Sequence, residues 1–405
     1  MTAIGEPELF IETPDRGTSV FGSADYCGPT GTGMLCEYRH EIISDIDDAR
    51  FRRWSGDNGR TWSDPVELPV TQRREDGTTL RRTSSARFVD PGSGHLVFSG
   101  TEWLQESDDA FDALTRVSRF YALSADGGRS VFHEAPIIQQ GAGYDRWHPL
   151  DGVHTGRNAF TGFGTPVVRD GGLLLFPVSR TALDGDGRYF IPYGSSYIET
   201  GCLAARFSGD RLVAESVTWI IPDPERTTRG IFEPTLAALD GGRLLMVMRG
   251  SNGGRTELPA HKWCSISDDE GRTWTRADPW TYENGERFFS PSSISHLVPH
   301  SDGRLFWFGN ISERNAEGNS PRYPLVIGEV DRASGLLLRD TIAVIADRAR
   351  DQDEQVQYSN FHVHEDRETR QLVLYLNHYQ PSGLPRAGEF HTGFTANVYR
   401  YRIDV

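Results

Sequence analysis

The sequence predicts an all-β protein: a six-bladed β-propeller of four-stranded antiparallel sheets, with residues 1–405 forming one domain. Three observations predict it. A glycine-bearing turn followed by a short apolar run recurs six times along the chain. A second, polar loop motif is written three times. Helical periodicity is poor, because glycine, proline and aspartate interrupt the chain too often for long stretches with apolar residues at i, i+3, i+4 and i+7.

The six apolar runs set the architecture. They are Gly31–Arg39 (GTGMLCEYR), Gly92–Gly100 (GSGHLVFSG), Asp170–Val178 (DGGLLLFPV), Asp240–Arg249 (DGGRLLMVMR), Asp302–Asn310 (DGRLFWFGN) and Thr369–His378 (TRQLVLYLNH). Each reads as the second strand of a hairpin, a turn with polar or glycine residues leading into Leu, Val, Phe and Met. They recur roughly every 60–80 residues, more than the ~40–50 of the familiar propeller repeats, which predicts inserted loops. A ring of sheets leaves only short, protected edges. The alternative all-β arrangement is a pair of β-sandwich domains, but the repeat runs the length of the chain without a linker.

The polar loops are Ser55–Trp62 (SGDNGRTW), Ser267–Trp274 (SDDEGRTW) and a weaker copy at Ser124–Val131 (SADGGRSV). Their aspartates, Asp57 and Asp269, are suited to accept backbone amides within a turn, and Gly59 and Gly271 to adopt positive φ. Trp62 and Trp274 are suited to bury an indole between neighbouring sheets. The degenerate copy keeps Ser124, Asp126 and Gly128. These loops are read as staples for hairpins, not as sites of chemistry.

Composition excludes several function classes. The formal charge of −15 argues against nucleic acid, whose backbone needs a basic footprint. Nearly all of the 42 basic residues are arginine, which makes forked contacts to carboxylates. The four cysteines, Cys27, Cys36, Cys202 and Cys264, have no zinc spacing and read as reduced thiols. No apolar run has the length of a membrane span, and the first residues lack the basic and apolar regions of a secretory signal. A cytoplasmic protein without membrane partner is therefore expected. No coiled-coil heptad or repeat edge identifies an oligomeric interface. His362 and His364 alternate along a predicted strand, but no third ligand is spaced near them, so no metal or other cofactor is expected.

The polar loops are Asp-box motifs, and three of them in a six-unit array resemble the sialidase (neuraminidase) superfamily over nearly the whole chain. The segment Phe232–Gly250 (FEPTLAALDGGRLLMVMRG) is similar to the one that holds that family's catalytic glutamate and a substrate-binding arginine. The resemblance thus implies these roles for Glu233 and Arg249. Ser320–Gly335 is similar to a segment with a further arginine, here Arg322. Gln355–Leu376 is similar to the segment with the nucleophilic tyrosine, here Tyr358. The acid of the family lies on a loop before the first Asp box, which offers Asp45 and Asp47. A tyrosine with an ordinary pKa of about 10 needs a base, and a glutamate supplies one. Arginines hold a sugar carboxylate by paired hydrogen bonds.

One departure bears on the substrate. Tyr26, Cys27 and Gly28 stand where the family has its first triad arginine, and Arg39 ends the next strand. The resemblance therefore implies an exo-acting hydrolase of a terminal acidic sugar in an oligosaccharide, a uronic or ulosonic acid rather than ordinary sialic acid. A second cluster points to other chemistry. The segment Tyr144–Pro166 carries His148, His154 and Arg157, and Tyr193 follows shortly after. Histidine as base and tyrosine as acid suit β-elimination from a uronate-containing glycan, so a lyase is the second reading. A non-catalytic carbohydrate-binding propeller is the third.

Overall fold

The computed structural model describes residues 2–106, 117–385 and 392–405. Regular structure among them consists of strands and three short 3-10 turns, Asp170–Gly172, Asp240–Gly242 and Arg339–Thr341. None of the described helices is long and apolar enough to cross a membrane. The chain divides into two compact units, one built from residues 1–70 and 281–405, the other from residues 71–280.

In the first unit, a nine-stranded sheet runs in the order Phe361–Glu365, Leu372–Pro381, Phe394–Asp404, Ser19–Tyr26, Met34–Glu41, Ala49–Ser55, Val66–Leu68. Ala3–Ile4 and Glu8–Ile11 also pair with Phe394–Asp404. A four-stranded sheet is formed by His296–Pro299, Leu305–Asn310, Leu325–Val330 and Ala343–Ala346. The second unit holds three sheets. Their central strands are Leu96–Gln105, Leu174–Thr181 with Ile198–Ser208, and Leu244–Arg249 with Lys262–Ser267. The described strands thus form five hydrogen-bonded sheets rather than six separate ones. The nine-stranded sheet is two antiparallel groups joined by one parallel pair, Ala396 with Ser19.

Each of the six apolar runs forms the second strand of its hairpin, and each is an inner strand with neighbours on both sides. Burial on both faces explains why these strands read as continuous apolar runs instead of alternating ones. All six residues of Leu244–Arg249 and of Leu305–Asn310 are buried. Removing each such large side chain from water is worth about 1.5–3 kcal/mol. The outer strand Thr71–Arg73 is short, polar and exposed throughout, so that sheet edge offers little apolar surface for unwanted pairing.

The three polar loops share one hydrogen-bond pattern. Ser55 Oγ donates to Asp57 (2.7 Å) and accepts from the Gly59 amide (2.9 Å), and Asp57 accepts from the Thr61 amide (2.9 Å) and hydroxyl (2.6 Å). Ser267, Asp269, Gly271 and Thr273 repeat it. Ser124, Asp126, Gly128 and Ser130 do as well, with the Ser130 hydroxyl replacing threonine. The Thr273 hydroxyl and amide hold Asp269 down at about 2. The indole of Trp274 donates to Gly271 (3.1 Å) and packs on a core that joins Leu175 and Cys202 of one sheet to Leu244 and Met246 of another. Trp62 makes the matching bond to Gly59 (3.2 Å). The residues before the glycine common to the three loops, Asn58, Gly127 and Glu270, are also left-handed (φ 60°, 69° and 61°), which the sequence reading did not anticipate.

Candidate functional site

In the first unit, ionisable groups gather at the end of the strand Met34–Glu41. Arg39 directs its Nε at two carboxylates, Glu41 (2.8 Å) and Asp47 (3.0 Å), and its guanidinium stacks 4.6 Å from the centre of the Phe21 ring. Asp47 is also 3.7 Å from Arg50. The strand returns through a tight loop. The Asp48 amide donates to the His40 carbonyl (2.9 Å), and the Ile42 amide to the Asp48 carboxylate (2.7 Å). Ile46 buries at its centre and carries Asp47 inward, whereas Asp45 is exposed and left-handed (φ 64°). The two candidate acids are thus in different environments. Glu41, which shares Arg39 with Asp47, is 3% exposed. Burial pushes its carboxyl up to about 7, against the pull of Arg39 and with help from the like charges of Asp45 and Asp47.

Tyr379 belongs to the same neighbourhood. It lies on Leu372–Pro381, is buried, and packs edge-on against Phe21 (5.5 Å). Its hydroxyl accepts from Asn360 (2.9 Å). Burial raises its proton affinity well above that of free tyrosine, Glu41 raises it further, and Arg39 and Arg322 both oppose the rise. Two guanidinium groups and one carboxyl therefore act on one phenol. Arg322 is held by Gln357 (3.1 Å) and the Ser292 carbonyl (3.1 Å), and its own carbonyl accepts from the Tyr358 amide (2.9 Å). Tyr358, next to it in the chain fold, is 3% exposed within an apolar cluster, edge-on to His378 (4.9 Å), and donates to Gln352 (3.2 Å). Burial raises its proton affinity too, with Gln352 opposing.

In the second unit, Glu233 and Arg249 meet as an ion pair at 2.6 Å. The register of Phe232–Ala238 against Leu244–Arg249 shifts between Phe232 and Thr235, and this irregularity places Glu233 in the left-handed region at φ 46°. A non-glycine residue held there is strained by about 1–3 kcal/mol, a cost that recurs at functional positions. Arg249 stacks 4.5 Å from the centre of the Phe232 ring.

The histidine-rich loop of the second unit is ordered by its own contacts. His148 and His154 stack at 4.3 Å, and Tyr144 leans on His148 at 5.0 Å. Burial, then His148 and Arg157, lower the proton affinity of His154. Arg157 is exposed. Tyr193 lies in a separate polar set, donating to Glu225 (3.0 Å) and accepting from Arg255 (3.0 Å).

Sequence reasoning overlooked Glu41 and Tyr379. Glu41 follows Arg39 by two residues on one strand, a spacing that shares a face, so that signal was available. Tyr379 had none, because it sits in a run that reads simply as a core strand.

No family model matches the chain, and no curated protein matches it in sequence. Solved structures do. The NanB sialidase from Streptococcus pneumoniae superposes with a TM-score of 0.59 at 13% identity, over 98% of this chain and 70% of that one. An α-L-arabinanase from Penicillium chrysogenum, complexed with arabinobiose, gives 0.55 at 15% identity over 98% of both chains. The intramolecular trans-sialidase from Ruminococcus gnavus gives 0.54 at 11%, over 98% and 97%. These likenesses define the class of structure, a sialidase-like β-propeller fold. Its bearers include proteins named sialidase, trans-sialidase and arabinanase.

Proposed function

We propose that this protein is an exo-acting glycoside hydrolase that releases a terminal acidic sugar from an oligosaccharide. The observation that carries the reading is the packing of Arg39 on Phe21, which itself lies edge-on to Tyr379, with Arg322 bonded to Gln357, whose backbone pairs with that of Tyr379. Fold alone gives no preference for an acidic sugar, since an arabinanase shares it. The arginines do: a forked guanidinium matches a sugar carboxylate. In this reading Arg39 and Arg322 of the first unit bind that carboxylate. Asp47 or the exposed Asp45 protonates the leaving oxygen, and Glu41, titrating near neutrality, competes for that role. The resemblance makes Glu233, paired with Arg249 in the second unit, the counterpart of the family's base, and a tyrosine the nucleophile. Motif order favours Tyr358 as that nucleophile, and packing against Phe21 beside Arg39 makes Tyr379 the alternative.

A panel of sialosides and glucuronate-capped oligosaccharides tests the proposal, with free reducing sugar and near-ultraviolet absorbance of an unsaturated uronate recorded together. Sugar release without absorbance supports hydrolysis. Loss of release in Tyr379→Phe with retention in Tyr358→Phe assigns the nucleophile to Tyr379, and the reverse assigns it to Tyr358. The lyase reading keeps one specific support, the uncharged-leaning His154 stacked on His148, suited to take a proton. Absorbance that vanishes in His154→Ala, with Arg157 and Tyr193 as its substrate contacts, would replace hydrolysis with elimination. No turnover of any glycan, with binding retained, would favour the non-catalytic propeller.

A further inference from the structure

His362 and His364 occupy alternate positions of Phe361–Glu365, so their imidazoles share a face of that strand. The chain supplies no third ligand near them, but the fold does. Asp25, on Ser19–Tyr26 and 337 residues away in sequence, sits with its Oδ2 at 3.1 Å from His362 Nε2. One ligand atom from each of Asp25, His362 and His364 lies within 4.8 Å of the other two. All three residues belong to the first unit.

We infer that these three side chains form a binding site for a single divalent transition-metal ion of the zinc class. Donor chemistry is the first argument. Two imidazoles and one carboxylate suit zinc, whose bonds to such donors measure about 2.0–2.2 Å and whose tetrahedral ligands therefore lie roughly 3.4 Å apart. Asp25 and His362, at 3.1 Å, are close to that separation, and His364 lies within 4.8 Å of both. Preorganisation is the second. The Tyr26 amide donates to Asp25 Oδ1 (2.7 Å), which leaves Oδ2 directed at His362. The His364 ring is clamped between Tyr375 (5.8 Å, nearly parallel) and Tyr26 (5.5 Å, edge-on). Access is the third. His364 is buried, while the side chains of His362 and Asp25 are 28% and 26% exposed and open the site to solvent on one side. Three protein ligands leave a fourth position for water, the coordination of a catalytic rather than a closed structural zinc. The inference is independent of the hydrolase reading, because none of its residues takes part there.

The test is calorimetric titration of the chelator-treated protein with ZnCl2, repeated with Co²⁺ for its visible spectrum. Asp25→Asn and His362→Asn are the informative variants, since both side chains are partly exposed; His148→Asn/His154→Asn controls for the other histidine pair. The expected result is one equivalent of zinc, tetrahedral cobalt bands, and affinity at least tenfold weaker in each informative variant but unchanged in the control. Circular dichroism of both variants verifies that they fold. Absence of zinc binding to the wild-type protein, binding that persists in both informative variants, or binding lost only in the control would overturn the inference.

Discussion

Replacing Glu41 by glutamine isolates the charge that the fold holds out of water beside Arg39. The Glu41 carboxyl moves from an ordinary 4.5 to about 7, with burial as the leading cause. Each tenfold in proton affinity is worth about 1.4 kcal/mol, so ionisation inside the fold costs about 3 kcal/mol more than in the unfolded chain. The folded state binds this proton more tightly than the unfolded state. Its contribution to stability is therefore complete below pH 4.5 and is lost as the pH rises through 7. Glu41→Gln never ionises and escapes that loss. Urea unfolding of both proteins at pH 4 and pH 8 should show a relative gain for the variant that grows with pH and reaches up to about 3 kcal/mol at pH 8. Arg39 keeps Asp47 as a partner in the variant, so its own charge stays compensated. A variant that loses as much stability at pH 8 as at pH 4, or more, would refute the reasoning. It would show Glu41 to be an ordinary ionised partner of Arg39.

Other expectations follow from the same structure. Ser267→Ala removes the hydroxyl that accepts from Gly271 and donates to Asp269, and should cost about 1–3 kcal/mol by urea unfolding, since the Gly271 amide is left buried without it. Gly201→Ala places a methyl 2.2 Å from the Thr218 carbonyl in an inner strand, and the overpacking should cost at least about 1–3 kcal/mol, read as a lower midpoint. Arg39→Lys keeps the charge but removes the Nε that reaches both carboxylates, and should raise KM for an acidic glycan at least tenfold while leaving circular dichroism unchanged.

Much of the fold was legible because it repeats. Leu244–Arg249 and Leu305–Asn310 read as apolar strands since both faces are buried, and the polar loops announced their own hydrogen bonds through serine, aspartate, glycine and threonine at fixed offsets. The candidate site was less so. Glu233 and Arg249 were singled out only through the family resemblance of their segment, and one hairpin brings them together as an ion pair. Tyr379 and Asp25 were not, because their significance arises from neighbours hundreds of residues away or from across a sheet, Arg39 for the first and His362 for the second. Periodicity reports which face a residue takes, not who meets it there.

The first unit is discontinuous, and this has a consequence for how the chain matures during synthesis. Glu8–Ile11 finds its partner only in Phe394–Asp404, and the Glu8–Arg400 ion pair (2.8 Å) spans 392 positions. At translation rates of about 5–20 residues per second, those opening residues wait roughly 20–80 s for their partners to emerge. Residues 71–280 face no such delay, since every strand of their three sheets is made in one uninterrupted stretch. On the ribosome, the inserted unit is thus free to fold first, as are the local hairpins of Ser19–Leu68, while Ala3–Ile4 and Glu8–Ile11 wait for Phe394–Asp404.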